Sequence, residues 1–138
     1  MNYVRGKIRN QEHARTLRDY SGMAWGRITP TDIDGFVEFG DRIFVLIESK
    51  YGNAPLSVGQ RLALERLADA IGRTRHCLLV VCTHSTQTNE EIPMHTCIVT
   101  QYRSGGIWRT PKSQTTLKEI VDQFKARFEC EPLPQEAA

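Results

Sequence analysis

Asp32-Ile-Asp34-Gly-Phe-Val-Glu-Phe-Gly40-Asp41-Arg-Ile43-Phe-Val-Leu-Ile47-Glu48-Ser49-Lys50 is the stretch on which the fold turns. Residues 43–47 are continuously apolar and rich in β-branched and aromatic side chains, the pattern of a central strand buried on both faces. Residues 32–39 alternate apolar and polar at several places, which predicts a half-buried strand. Gly40-Asp41 turns the chain between them, so the two form a hairpin. Glu48 and Lys50 stand two apart where the apolar strand ends and therefore share a face. Asp34 lies near the start of the preceding strand, and a hairpin brings it beside the end of the second. A two-residue turn would set Asp34 opposite Ile47, with the two carboxylates on opposite faces. A loop of odd length, or a bulge, would set Asp34 opposite Glu48. The second register is expected.

Outward from this hairpin, the sequence predicts a helix over 11–20, capped by Asn10 and ended by Ser21-Gly22. A loop over 21–31 carries Trp25, Gly26 and Pro30. After a loop at 51–56, Ser57 opens a helix that Gly72 closes, with Leu64, Leu67, Ala68 and Ile71 on its apolar stripe. Residues 77–83 predict another strong strand, 95–102 a further one, and Gly105-Gly106 a turn into a short strand at Ile107-Trp108. Thr116-Leu-Lys-Glu119 is a capping box, followed by the apolar face Leu117, Ile120, Val121, Phe124 and Phe128. The sum is an α/β fold, a mixed sheet flanked by helices, in one domain over 1–130 with a disordered tail over 131–138.

The chain has 138 residues, 40% of them hydrophobic and 25% charged, which suits a single soluble domain. It has no apolar run of the ~20 residues that a membrane span needs. The N-terminus lacks the apolar core of a signal peptide, so a cytoplasmic protein without membrane partners is expected. Four cysteines, at 77, 82, 97 and 130, form no CxxC pair and predict reduced, mostly buried thiols. Net charge is only +2, but it is unevenly placed. Residues 1–27 and 103–127 are basic, whereas 32–48 is acidic. Basic flanks around an acidic centre suit a polyanion held over a cation site.

Hard oxygen ligands such as Asp34 and Glu48 suit Mg²⁺ or Mn²⁺. Two close carboxylates repel without a cation. A lysine beside a bound metal can orient an attacking water or stabilise charge developing on phosphate. Asp34, followed after an apolar strand by Glu48-Ser49-Lys50, resembles the PD-(D/E)XK nuclease superfamily. The following Leu56-Ser-Val-Gly-Gln60 is similar to the LS-x-x-Q setting of RecB-like and VRR-type members. The resemblance covers about residues 10–83. It implies a restriction-endonuclease-like α-β-β-β-α-β core and Mg²⁺-dependent phosphodiester hydrolysis. It also implies metal ligation by Asp34, Glu48 and the Ser49 carbonyl, with Lys50 as the catalytic lysine and Gln60 as a further site residue. The family's proline–aspartate pair is spread out here as Pro30-Thr-Asp32-Ile-Asp34, which makes Asp32 a rival to Asp34.

Several residues carry a second reading. Gln60 completes a capping box with Ser57, yet lies on the stripe that faces the sheet. Glu12 is read as surface charge or as a further ligand, and Trp25 and Arg27 as packing residues or as contacts to a base and a phosphate. Cys82, His84, His95 and Cys97 would share a face if 82 pairs with 97 and 84 with 95, the donor set of a zinc site, but the long loop between them and a spacing unlike the common fingers favour buried strand cysteines with exposed histidines. The function implied by the resemblance is a DNA endonuclease acting on structured or branched DNA in repair, recombination or phage metabolism, with homodimerisation a way to cut two strands. The alternatives are a non-catalytic nucleic-acid-binding module and an RNA-directed nuclease.

Overall fold

The computed structural model describes residues 19–87 and 90–135. The chain divides into two compact units, Met1–Thr31 and Asp32–Ala138. In the first, Trp25 and Ile28 exchange backbone hydrogen bonds of 2.8 and 3.1 Å across a tight turn. The helix expected over 11–20, and Glu12 with it, falls outside the described residues except for Asp19 and Tyr20, which are not helical.

In the second unit the order is β1 (Gly35–Phe39), β2 (Ile43–Tyr51), α1 (Val58–Ile71), β3 (His76–His84), β4 (Ile98–Ser104), β5 (Ile107–Arg109) and α2 (Leu117–Phe128). The five strands form one sheet in the order β1-β2-β3-β4-β5. β2 and β3 are parallel, and the other neighbouring pairs are antiparallel. A parallel pair needs a crossover, which α1 supplies. The α/β class with a mixed sheet and flanking helices is as expected. The element order differs from the α-β-β-β-α-β core: among the described residues two strands, not three, precede α1, and three follow it.

The β1–β2 turn decides the register. Gly40 and Asp41 both have positive φ, 57° and 58°, and the Arg42 N–H closes onto the Phe39 carbonyl at 3.0 Å. Such a turn matches strand twist, and glycine and aspartate tolerate the left-handed conformation best. Arg42 is an extra residue beyond the turn, so Phe39 pairs with Ile43 and Gly35 with Ile47. The next position sets Asp34 against Glu48, the odd register expected. Gly35 permits the close approach there, since a Cβ would meet Ile47 at 3.3 Å.

β2 runs four residues past its apolar core because β3 continues beside it, pairing Glu48 with Val81 and Lys50 with Thr83. The two faces of the sheet carry separate cores. Ile43, Val45, Ile47, Leu78, Val80 and Cys82 pack with Leu117 and Ile120 of α2. Leu46, Cys77 and Leu79 pack with Leu64 and Ala68 of α1. Both helices are capped as expected, α1 by Ser57 and α2 by the Thr116/Glu119 capping box. Glu131, expected in a disordered tail, instead has its carbonyl held by the Arg42 guanidinium, with the His76 ring beside it.

The β3–β4 register does not make the pairing that a zinc site would need. Cys82 pairs with Val99, not Cys97. Residues 94–96 form a short 3-10 turn, so β4 starts late. A bulge at Val81/Cys82 then shifts the ladder, and the Thr100 hydroxyl, opposite the shift, donates to the Val81 carbonyl at 3.1 Å.

Candidate functional site

Glu48 lies at the end of the apolar run of β2, on the α1 face, and only 3% of it is exposed. Its Oε1 accepts a hydrogen bond from the Gln60 side-chain amide at 2.7 Å. The Lys50 ammonium stands 3.6 Å from the same oxygen, on a side chain 25% exposed. Its Oε2 is buried and has no hydrogen-bond partner among the described residues. An unpartnered carboxylate oxygen away from water is costly. Burial pushes the Glu48 carboxyl above its ordinary range and the negative charge of Asp34 pushes it further, while Lys50 and Gln60 pull against both.

Asp34 enters from the start of β1. Its Oδ2 accepts from the Ser49 backbone N–H at 2.8 Å and from the Ser49 hydroxyl at 3.2 Å. The resemblance implies only a carbonyl role for Ser49. Its amide and hydroxyl also fix the Asp34 carboxylate, and the one signal for this is a hydroxyl residue between the acid and the lysine.

Gln60 resolves its two readings by doing half of each. Its backbone N–H is capped by the Ser57 hydroxyl at 3.2 Å, but its side chain turns to Glu48 rather than back to Ser57. The first turn of α1 thus feeds an amide donor to the end of β2. Asp34, Glu48, Ser49, Lys50 and Gln60 are brought together. Asp32 is exposed and lies outside β1. Trp25 and Arg27 are exposed residues of the first unit.

The zinc arrangement does not form. Cys82 and Cys97 are buried thiols in the α2-face core, whereas His95 is exposed. Burial pushes the Cys82 thiol up to about 12 and Cys77 likewise to about 12, so neither supplies a thiolate readily. All four cysteines are free, with Cys130 exposed. Among the described residues, no group of three or more His, Cys, Asp or Glu side chains is placed to hold a metal ion. A cation at the β2 end would draw on two carboxylates, a backbone carbonyl and ligands from solvent or substrate. Among the same residues no helix is long and apolar enough to cross a membrane.

The fold and site together define an α/β protein with a buried acid, a flanking acid, a lysine and an amide gathered where its central strand emerges. No family model, curated protein or solved structure matches the chain.

Proposed function

We propose that the protein is a Mg²⁺-dependent nuclease of the PD-(D/E)XK type, cutting DNA phosphodiesters at Asp34, Glu48 and Lys50. The observation that carries this reading is the buried Glu48 with one oxygen satisfied by Gln60 and the other without a partner among the described residues. A stable fold gains nothing from such a group, whereas a divalent cation would complete it. The restriction-endonuclease-like reading of the fold rests on the β1–β2 hairpin, the α1 crossover and the parallel β3.

In this reading Asp34, Glu48 and the Ser49 carbonyl hold Mg²⁺ or Mn²⁺. Held there, such an ion would make a water more acidic and would neutralise charge building on the phosphate. Ser49 fixes the Asp34 carboxylate by two hydrogen bonds. Gln60 holds Glu48 Oε1 and so orients the other oxygen. Lys50, partly exposed beside Glu48, orients the attacking water or stabilises the developing anion. The small α/β unit lends itself to structure-selective cutting of branched DNA rather than to reading a long sequence.

Supercoiled, linear and branched DNA incubated with Mg²⁺ or Mn²⁺ tests this directly. Cleavage is expected with metal, none with EDTA, and none by Lys50→Ala. No cleavage of any substrate by the wild-type protein, or full activity in Lys50→Ala, overturns it. RNA substrates in the same assay separate an RNA-directed nuclease. One observation favours a second reading, a non-catalytic nucleic-acid-binding module: the site has two carboxylates and, among the described residues, no third acidic or imidazole ligand. That reading expects salt-dependent DNA binding indifferent to metal.

A further inference from the structure

We propose that a cleft on the opposite face of the sheet binds phosphate esters of a nucleotide or a nucleic-acid strand. The cleft lies between α2 and the β4–β5 hairpin with the segment that follows it. Its volume is about 680 Å³, within the range of small-ligand sites. Arg109, Lys112 and Arg127 line it, together with Tyr102, Phe124 and Phe128. Among the described residues no aspartate or glutamate lines it.

The charges of α2 explain why this cluster is not ordinary surface balance. Asp122 is taken by Lys118 at 2.6 Å and Glu129 by Lys125 at 3.0 Å, both one turn along the helix. Glu119 is consumed by the capping box. Arg127 is left over and lies over the Phe128 ring, its guanidinium carbon 4.8 Å from the centroid. Among the described residues Arg109 bonds only a carbonyl, that of Ser104 at 3.4 Å, and Lys112 has no partner. Three cations without a carboxylate therefore rim one cleft with an aromatic wall. Guanidinium and ammonium groups recognise phosphate, and a base stacks on exposed aromatic or guanidinium planes.

Leu78, at the cleft floor, belongs to the α2-face core, whereas Glu48 faces α1. The phosphate held in this cleft is therefore not the one beside Glu48 and Lys50. The proposal is independent of the nuclease reading, and its test is run in EDTA.

The test is an amide-resolved NMR titration of the full chain with thymidine monophosphate and, separately, with a six-nucleotide oligothymidine. Shifts are expected at residues 109, 112, 124 and 127. Shifts with both probes give a phosphate-ester site, with the mononucleotide alone a free-nucleotide site, and with the oligomer alone a strand-binding site. No shift at these residues with either probe overturns the proposal. For the probe that binds, the triple variant Arg109→Gln/Lys112→Gln/Arg127→Gln is expected to lose at least ten-fold in affinity. For a strand, its slope of log affinity against log salt should fall by about 2, since each phosphate contact contributes roughly 0.7. A control triple, Arg27→Gln/Arg66→Gln/Arg73→Gln, removes equal charge at exposed residues that do not line the cleft and should bind within about two-fold of wild type. An equal loss in the control, or none in the cleft variant, overturns the assignment. Unchanged circular dichroism melting separates loss of binding from loss of fold.

Discussion

The two faces of β2 are made by one strand and serve opposite ends. On the α2 face, Ile43, Val45 and Ile47 join a continuous apolar cluster that runs on through Leu78, Val80 and Cys82. On the α1 face, Leu46 is buried, but the next positions on that side are Glu48 and Lys50, met by Gln60 from the first turn of α1. Packing on this side resumes further along α1, at Leu64 and Ala68. One face is built for stability throughout. The other gives up its core at the strand end to hold a charged group away from water, the usual signature of a site rather than of a scaffold.

The largest effect expected from breaking this difference comes at Glu48. Glu48→Leu extends the apolar face, and in the proposed reading it should reduce metal-dependent cleavage by about 10³-fold, the scale of losing a group that stabilises developing charge. The same variant should gain roughly 1–2 kcal/mol in stability, because replacing a buried charge by a packed apolar side chain is commonly neutral or favourable. Denaturant melts and cleavage rates measured together check it. A destabilised Glu48→Leu would mean that the carboxylate serves the fold.

Leu78→Ala and Leu79→Ala sharpen the comparison, since these neighbours are buried on opposite faces. Each should cost about 3 kcal/mol by leaving a cavity. Only Leu79→Ala, on the face of Glu48, should also alter cleavage or Mn²⁺ affinity per folded molecule. Equal functional loss from Leu78→Ala would show that the faces are not separable. A smaller effect is expected at Gln60. Gln60→Ala frees Glu48 Oε1 and should weaken Mn²⁺ binding about ten-fold, the lower end for a residue that orients a metal ligand. Isothermal titration measures this directly, and an unchanged affinity would reduce Gln60 to packing.

The smallest effect concerns Asp69, which ties α1 to β4 through Arg103 at 2.7 Å. Hydrogen bonding to the Arg103 guanidinium holds the Asp69 carboxyl below its ordinary 3.8. The bond's contribution is therefore full above pH 3.8 and is lost as pH falls through the lower folded value. The Asp69 side chain is 41% exposed, so solvent screens the pair and the contribution is small. Asp69→Asn should melt slightly below wild type at pH 7, with the gap closing below pH 3.8. A gap that is constant with pH would assign the effect to lost packing instead.

Much of this was legible in local sequence. The apolar run at 43–47 marked the central strand, Ser57 and Gly72 bounded α1, and Thr116 with Glu119 capped α2. Strand periodicity alone set Glu48 and Lys50 on one face. Buried Cys82 and Cys97 beside an exposed His95 were legible too, but the β3–β4 register was not, because a bulge and a 3-10 turn reset it. Nor was the cleft beside α2. Its sign lay in the basic stretch 103–127, but which of those cations keep a carboxylate partner depends on how α2 docks.

The sequence by itself determined the pair Glu48 and Lys50, since side chains two apart on a strand share a face whatever the strand meets. The left-handed turn at Gly40 and Asp41 was also within its reach, but by itself it pairs Asp34 with Ile47; that Arg42 is left over and shifts the register was decided by the structure. Only the tertiary structure decided that the Gln60 side chain turns to Glu48, that Ser49 grips Asp34, and that one Glu48 oxygen has no partner among the described residues. Those facts depend on where α1 and β1 come to rest against β2. Helix and strand periodicity specify a face, but a hydrogen bond needs two faces held within about 3 Å, and only the packing of the whole sheet fixes that distance.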